Sequence, residues 1–177
     1  MEQLKYTPFK VFHYPEKLNS LPKEVEEIKP PIHVRIKPTN ICAHKCWYCA
    51  YKADDLQLGD EMIARDQIPK EKMLEILQNL KDMNVGAVTF SGGGDPFYYK
   101  PLLEVAKWLA VNKIQFASLT NGARLKGELA EVFANYGTWL RVSLDGWDDA
   151  SYAKYRGIRK GHFSRLINNL YYFVLKI

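Results

Sequence analysis

The chain has 177 residues, 47% apolar and 25% charged, with a net charge of +5, so it can bury one well-packed core and is only weakly basic. That charge is too small and too scattered to mark a nucleic-acid-binding domain. Lys154, Arg156, Arg159 and Lys160, which supply part of it, read as a solvated surface patch. No apolar run approaches the ~20 residues of a membrane span, and Met1-Glu2-Gln3-Leu4-Lys5 lacks the apolar core of a signal peptide. A soluble, cytoplasmic protein with no membrane partner is expected.

Residues 1–30 are polar and broken by Pro8, Pro15, Pro22 and Pro30. They read as an N-terminal extension packing on the core of residues 31–177, anchored through Tyr6, Phe9, Val11, Phe12 and Tyr14. From there a pattern repeats. His33 to Lys37 is a short strand. Met73, Leu74, Ile76, Leu77 and Leu80 recur at helical spacing behind Pro69. Gly86 to Phe90 is a buried strand, and Pro101 opens a helix carrying Leu102, Val105, Ala106, Leu109 and Ala110. Gln115 to Leu119 is the third strand, followed by a helical stripe of Leu125, Leu129, Val132, Phe133 and Tyr136. Trp139 to Leu144 is the fourth. A short helix around Asp149 to Tyr155 follows, then a longer one with Phe163, Leu166, Ile167, Leu170 and Val174. Strands alternating with helices at this interval imply βα units, an α/β fold and a parallel sheet. Right-handed crossovers would either curl that sheet toward a barrel or wind it doubly, and the pattern does not separate the two.

Each predicted strand ends in residues poorly suited to simple packing: Pro38-Thr39-Asn40 and a cysteine loop, Ser91-Gly92-Gly93-Gly94-Asp95-Pro96, Thr120-Asn121-Gly122, and Ser143-Leu144-Asp145-Gly146. Parallel α/β architectures bind ligands at the carboxyl ends of their strands, so four loops converge on one expected site. Singly, Asn121-Gly122 and Asp145-Gly146 are ordinary turn dipeptides. Three consecutive glycines say more, because they clear a stretch of side chains and let backbone approach a ligand. The turn lacks the lysine and Ser/Thr of a phosphate-binding P-loop and the spacing of a dinucleotide fingerprint.

The cysteines, Cys42, Cys46 and Cys49, are spaced C-x3-C-x2-C. Three thiolates on one loop suit zinc or an iron–sulfur cluster. A structural zinc site wants four ligands, and His44 would have to fold back sharply to be the fourth. On a [4Fe–4S] cube, three thiolates leave one iron open.

With Tyr48 as the aromatic residue before the last cysteine, Cys42-x3-Cys46-Trp47-Tyr48-Cys49 resembles the cysteine motif of the radical S-adenosylmethionine (radical SAM) superfamily. Gly92-Gly93-Gly94-Asp95-Pro96 is similar to its glycine-rich motif. The likeness extends over roughly residues 31–175 and implies a partial (β/α) barrel with about four βα units present. It also implies a [4Fe–4S] cluster on Cys42, Cys46 and Cys49 whose open iron chelates S-adenosyl-L-methionine. One electron then cleaves the C5′–S bond, and the 5′-deoxyadenosyl radical abstracts hydrogen from a substrate. By the same resemblance Tyr48 lies beside the adenine, and backbone at Gly92, Gly93 and Gly94 holds the methionyl amino group. Asn121, Ser143 and Asp145 face the ribose and carboxylate, and Arg156 pairs with the methionyl carboxylate. Asp145 could equally cap the following helix. Asp95 stands where the family usually has Glu, one methylene shorter, which is tolerable if backbone carbonyls do the holding. Trp47 is expected to cover the cluster loop.

The family implies an electron donor such as flavodoxin or ferredoxin and a peptide or small-metabolite substrate. The alternatives are an RNA-modifying enzyme of the same superfamily or a non-catalytic metal-binding fragment. At roughly 30 residues per βα unit, the chain has room for about four. Strand 139–144 would then be a raw sheet edge, so a missing C-terminal half is expected as a partner.

Overall fold

A computed structural model of the chain describes residues 12, 15, 29–52 and 62–176. By their contacts the residues divide into Met1–Pro31 and Ile32–Ile177. The expected anchors of the extension lie outside the described residues except Phe12, which is 62% exposed.

Four strands, β1 (His33–Ile36), β2 (Ala87–Phe90), β3 (Gln115–Thr120) and β4 (Trp139–Val142), form one sheet in the order β1-β2-β3-β4, every neighbouring pair parallel. The described helices are α1 (Lys70–Asp82), α2 (Leu102–Val111), α3 (Gly127–Tyr136), α4 (Asp149–Arg156) and α5 (His162–Val174). Strictly sequential strand order with right-handed crossovers lands successive helices on one face of the sheet. The described helices thus flank one side of the sheet, which curls as part of a barrel, and this resolves the choice between barrel and doubly wound fold.

Side chains alternate along a strand. One face presents Val34, Ile36, Val88, Phe90 and Phe116 to the helices, and these join Met73, Leu77, Leu102, Val105, Leu109 and Phe133 in the apolar core. Phe133 fixes the centre, its ring 5.2 Å from Phe116 edge-on and 5.1 Å from Phe97. Each fully buried aliphatic side chain contributes about 1.5–3 kcal/mol. The other face carries His33, Arg35, Thr89, Leu119, Trp139 and Arg141; His33 Nε2 lies 2.8 Å from Thr89 Oγ1 across β1 and β2.

Local chemistry sets the ends of the elements. Pro69 precedes α1, whose first turn holds Glu71 and whose last holds Lys81, matching the helix dipole. Asp148 caps α4 in a reciprocal box with Ser151, so Asp145 is not the cap. Gly157 ends α4 in the left-handed region. Leu125, read as part of a helical stripe, is fully buried in the turn before α3, because a helix cannot begin until the chain has reversed at Gly122. Ladder bonding runs one residue past β4, where the Ser143 amide donates to the Thr120 carbonyl at 2.8 Å.

The turn after β3 is held from α5. Asn169, 9% exposed, donates through Nδ2 to the carbonyls of Gly122 (2.9 Å) and Ala123 (3.3 Å). Asn169→Leu leaves both carbonyls short of a donor and is expected to destabilise the fold by about 1–3 kcal/mol. Urea denaturation read by far-UV circular dichroism checks this, with the urea midpoint falling at unchanged slope.

Candidate functional site

The glycine-rich turn after β2 is packed against the segment that leads into the cysteine loop. Gly93 sits at φ +85°, and a Cβ there would overlap the Asn40 side chain; a Cβ on Gly94 would overlap the Ile41 carbonyl oxygen and the Asn40 backbone. The Gly94 amide donates to the Thr39 carbonyl at 2.8 Å and the Asp95 amide to the Ile41 carbonyl at 2.9 Å. The missing side chains therefore serve first to bring two strand-end loops of the protein into backbone contact. The Gly94 and Asp95 amides are thereby committed within the protein.

Asp95 ties this turn to the next strand. It is 4% exposed. Oδ1 accepts from the Phe97 amide (2.9 Å), Oδ2 accepts from the Asn121 amide (2.6 Å), and the Thr120 hydroxyl reaches both oxygens at 3.0 Å. Burial pushes its pKa up while these donors pull it down. The side chain lines the cavity described below but is spent on the protein's own donors. Its shorter reach compared with Glu suits a clamp between β2 and β3. Thr120, expected at a strand end facing the site but given no role of its own, completes that clamp.

The cysteine loop is fastened at several points. Lys52 Nζ donates to the carbonyls of Cys42 (3.2 Å) and His44 (3.4 Å). The Lys45 amide donates to the Arg156 carbonyl at 3.0 Å. A Cβ on Gly157 would collide with the Lys45 carbonyl, so only glycine lets the end of α4 approach the loop this closely.

These loops enclose a cavity of about 340 Å³ lined by Cys42, Cys46, Cys49, Tyr48, Gly92, Gly93, Gly94, Asp95, Asn121, Ser143 and Arg156, among others. All expected site residues except Asp145 meet there. Asp145 stands behind the cavity wall, accepting from Tyr48 Oη at 2.5 Å and ion-pairing with Arg156. Arg156 is 5% exposed, which corrects its reading as part of a solvated patch. Its NH1 lies 3.4 Å from Cys46 Sγ, its guanidinium 5.9 Å and 5.6 Å from the ring centroids of Tyr48 and Tyr152, and its Nε is buried without a hydrogen-bond partner. Asn121 Nδ2 lies 3.7 Å from Cys42 Sγ. Burial, above all, raises the Cys42 thiol. Trp47, expected to cover the loop, is 69% exposed and meets Tyr48 edge-on at 5.5 Å.

Among the described residues no three of the His, Cys, Asp or Glu side chains gather closely enough to clasp a single metal ion. His44 is 2% exposed and neither ring nitrogen has a hydrogen-bond partner. Its ring packs edge-on at 6.0 Å from Tyr152 and 6.2 Å from His162. Burial, with the Arg156 charge next, lowers its pKa to about 4, so it is neutral at pH 7. Three soft donors spread around one cavity, backed by a buried cation and by amide groups, fit a group larger than one ion.

The sequence also matches the model of the radical SAM superfamily over residues 36–174, most of the chain. The chain belongs to the radical SAM superfamily. It is 26% identical over 131 residues to a probable GTP 3',8-cyclase of Thermococcus kodakarensis, covering 73% of this chain and 40% of that one. It is 28% identical over 134 residues to the Fe-coproporphyrin III synthase of Methanosarcina barkeri, covering 75% and 31%. The fold superposes on Streptococcus suis SuiB bound to S-adenosylmethionine with a TM-score of 0.69 at 22% identity, covering 95% of this chain and 37% of SuiB. The chain thus spans well under half the length of these relatives.

Gly94→Ala is expected to push the cysteine loop off the turn and destabilise the protein by about 1–3 kcal/mol or more. Gly127→Ala, at φ +62° with nothing within 4 Å of the added carbon, should cost only about 1 kcal/mol. Comparing the two thermal midpoints separates close approach from backbone strain.

Proposed function

We propose that this chain is the core of a radical SAM enzyme that holds a [4Fe–4S] cluster on Cys42, Cys46 and Cys49 and binds S-adenosyl-L-methionine beside it. The observation that carries this reading is the meeting of three thiols, a glycine turn and a buried arginine in one cavity at the carboxyl edge of a parallel sheet. When bound, the cluster supplies one electron that cleaves the sulfonium C5′–S bond, giving methionine and a 5′-deoxyadenosyl radical that takes hydrogen from the substrate.

The chain's own residues supply position and shelter. Carbonyls of the turn at Gly92 to Gly94 accept from the methionyl ammonium. Arg156, with a buried Nε free of protein acceptors, offers a planar fork to the methionyl carboxylate. Tyr48, oriented through its hydroxyl by Asp145, flanks the adenine, and Asn121 and Ser143 supply donors and acceptors for the ribose. Electrons come from a flavodoxin or ferredoxin. The substrate is a peptide or small metabolite: related proteins are named for GTP cyclisation and Fe-coproporphyrin III synthesis, and SuiB, similar in fold, is also seen bound to a precursor peptide.

Anaerobic reconstitution with iron and sulfide tests this. The wild-type chain should take up four irons and release 5′-deoxyadenosine when given dithionite and S-adenosylmethionine. Each of Cys42→Ala, Cys46→Ala and Cys49→Ala should lose both iron and product. A colourless chain holding one zinc would refute the reading in favour of a metal-binding module. Arg156→Lys keeps the charge but loses the fork. It should retain iron while binding S-adenosylmethionine about tenfold more weakly, ~1.4 kcal/mol, in equilibrium dialysis.

A further inference from the structure

Two strand-end turns separate the cofactor cavity from a second cleft of about 690 Å³. The turn after β2 gives Asp95 and Pro96 to the cavity and Phe97 and Tyr98 to the cleft. The turn after β3 gives Asn121 to the cavity and Ala123 and Arg124 to the cleft. A pair of imidazole rings makes a third bridge. His44 lines the cavity, His162 at the start of α5 lines the cleft, and their ring centroids are 6.2 Å apart. The cleft therefore backs onto the place where the three cysteines meet.

Its walls are cationic. Lys100, Arg124, Lys126 and Arg165 line it and are exposed, and none of its described lining residues is a carboxylate. Among the described residues none of the four is ion-paired. The nearby acids are spent elsewhere: Glu104 pairs with Lys70 and Glu128 with Lys107. Asp149 accepts from the Phe163 and Ser164 amides and from the Ser164 hydroxyl. His162 and Arg165 also stand at the beginning of α5, where the helix dipole disfavours cations and the first turn holds no acidic residue. Like charges gathered on one concave surface repel one another and raise the local concentration of anions.

Two observations select the kind of anion. The Tyr98 ring in the cleft is covered by the Arg124 guanidinium, 4.1 Å from its centroid, so it is not free to stack a nucleic-acid base. Complexes that pass electrons are small and transient, burying less than ~1,200 Å², a scale that a single cleft suits. We propose that this cleft is the docking site of a small acidic electron-transfer protein, whose surface carboxylates meet Lys100, Arg124, Lys126 and Arg165. The inference rests on the cofactor reading for the electron's destination, and it adds where the donor sits. The donor's reduced centre gives up one electron and the cluster takes it, passing from the 2+ to the 1+ state; no bond forms or breaks.

Isothermal titration of an acidic bacterial flavodoxin into the anaerobically reconstituted chain tests the docking. Binding should be saturable and should weaken as salt is raised, because exposed charges are screened over roughly 8–10 Å near physiological ionic strength. Lys126→Glu with Arg165→Glu should weaken it about tenfold or more. Lys81→Glu with Lys113→Glu, at exposed positions by the carboxyl ends of α1 and α2 and outside the cleft, makes the same change in net charge and should alter it less than about twofold. In stopped-flow mixing, bleaching of the cluster by reduced flavodoxin should slow in the first pair of substitutions, while bleaching by dithionite changes less than about twofold. Thermal midpoints should stay unchanged, because the substituted side chains are exposed. No saturable binding, equal loss in both pairs, or binding of a mixed-sequence RNA in place of flavodoxin would overturn the proposal. Docking that depends on Lys126 and Arg165 in a chain that takes up no iron sinks the cofactor assignment alone. An iron-loaded chain that releases 5′-deoxyadenosine with dithionite, but whose docking ignores those residues, sinks the docking assignment alone.

Discussion

Gly94 lies against the Ile41 carbonyl with no room for a side chain, and the amides of Gly94 and Asp95 bond back to Thr39 and Ile41. This backbone contact sets where the cysteine loop starts. A loop carrying three thiols has no regular structure of its own to position it, so its geometry must come from neighbours. The glycine turn fixes one end. Lys52 grips its carbonyls, and the end of α4 closes on Lys45 only because Gly157 has no Cβ. Asp95 extends the same fixation to β3, binding Thr120 and the Asn121 amide in a buried, fully hydrogen-bonded knot.

The electrostatics of the region follow from that arrangement. Arg156 is carried into the interior on α4, where Asp145 ion-pairs with it and Cys46 Sγ lies 3.4 Å from its NH1, while its Nε stays without a protein acceptor. A buried cation with spare donor capacity costs stability unless an anion completes it. Thiolates and a ligand carboxylate are the groups the cavity chemistry would bring. His44, neutral and enclosed between Tyr152 and His162, adds no charge to this balance. The apolar face of the sheet holds the helices and keeps the strand ends in register.

Much of this was legible in the residues. All four strands and the long helices have apolar periods that tertiary packing did not override, and Cys42, Cys46 and Cys49 are conspicuous by chemistry alone. What was not legible depended on which loop touches which. Nothing in the order Gly92-Gly93-Gly94 says that its closest neighbour is the protein's own backbone. Nothing around Asp95 reveals that its carboxylate faces inward, twenty-five residues away from its partner Thr120. Arg156 looked like one member of a basic surface run, because burial of a charge is decided by a partner distant in sequence, here Asp145 and Cys46. The cap of α4 went to Asp148 because its spacing to Ser151 allows the reciprocal bond, which Asp145 is too far away to make.

Three cysteines holding a four-iron cluster would leave one iron for the methionyl end of S-adenosylmethionine. Mössbauer spectroscopy of anaerobically reconstituted chain, before and after adding S-adenosylmethionine, tests it most directly. One iron of the four should change its isomer shift on addition while the other three stay put. Four irons unaffected by S-adenosylmethionine, or no bound iron at all, would contradict it.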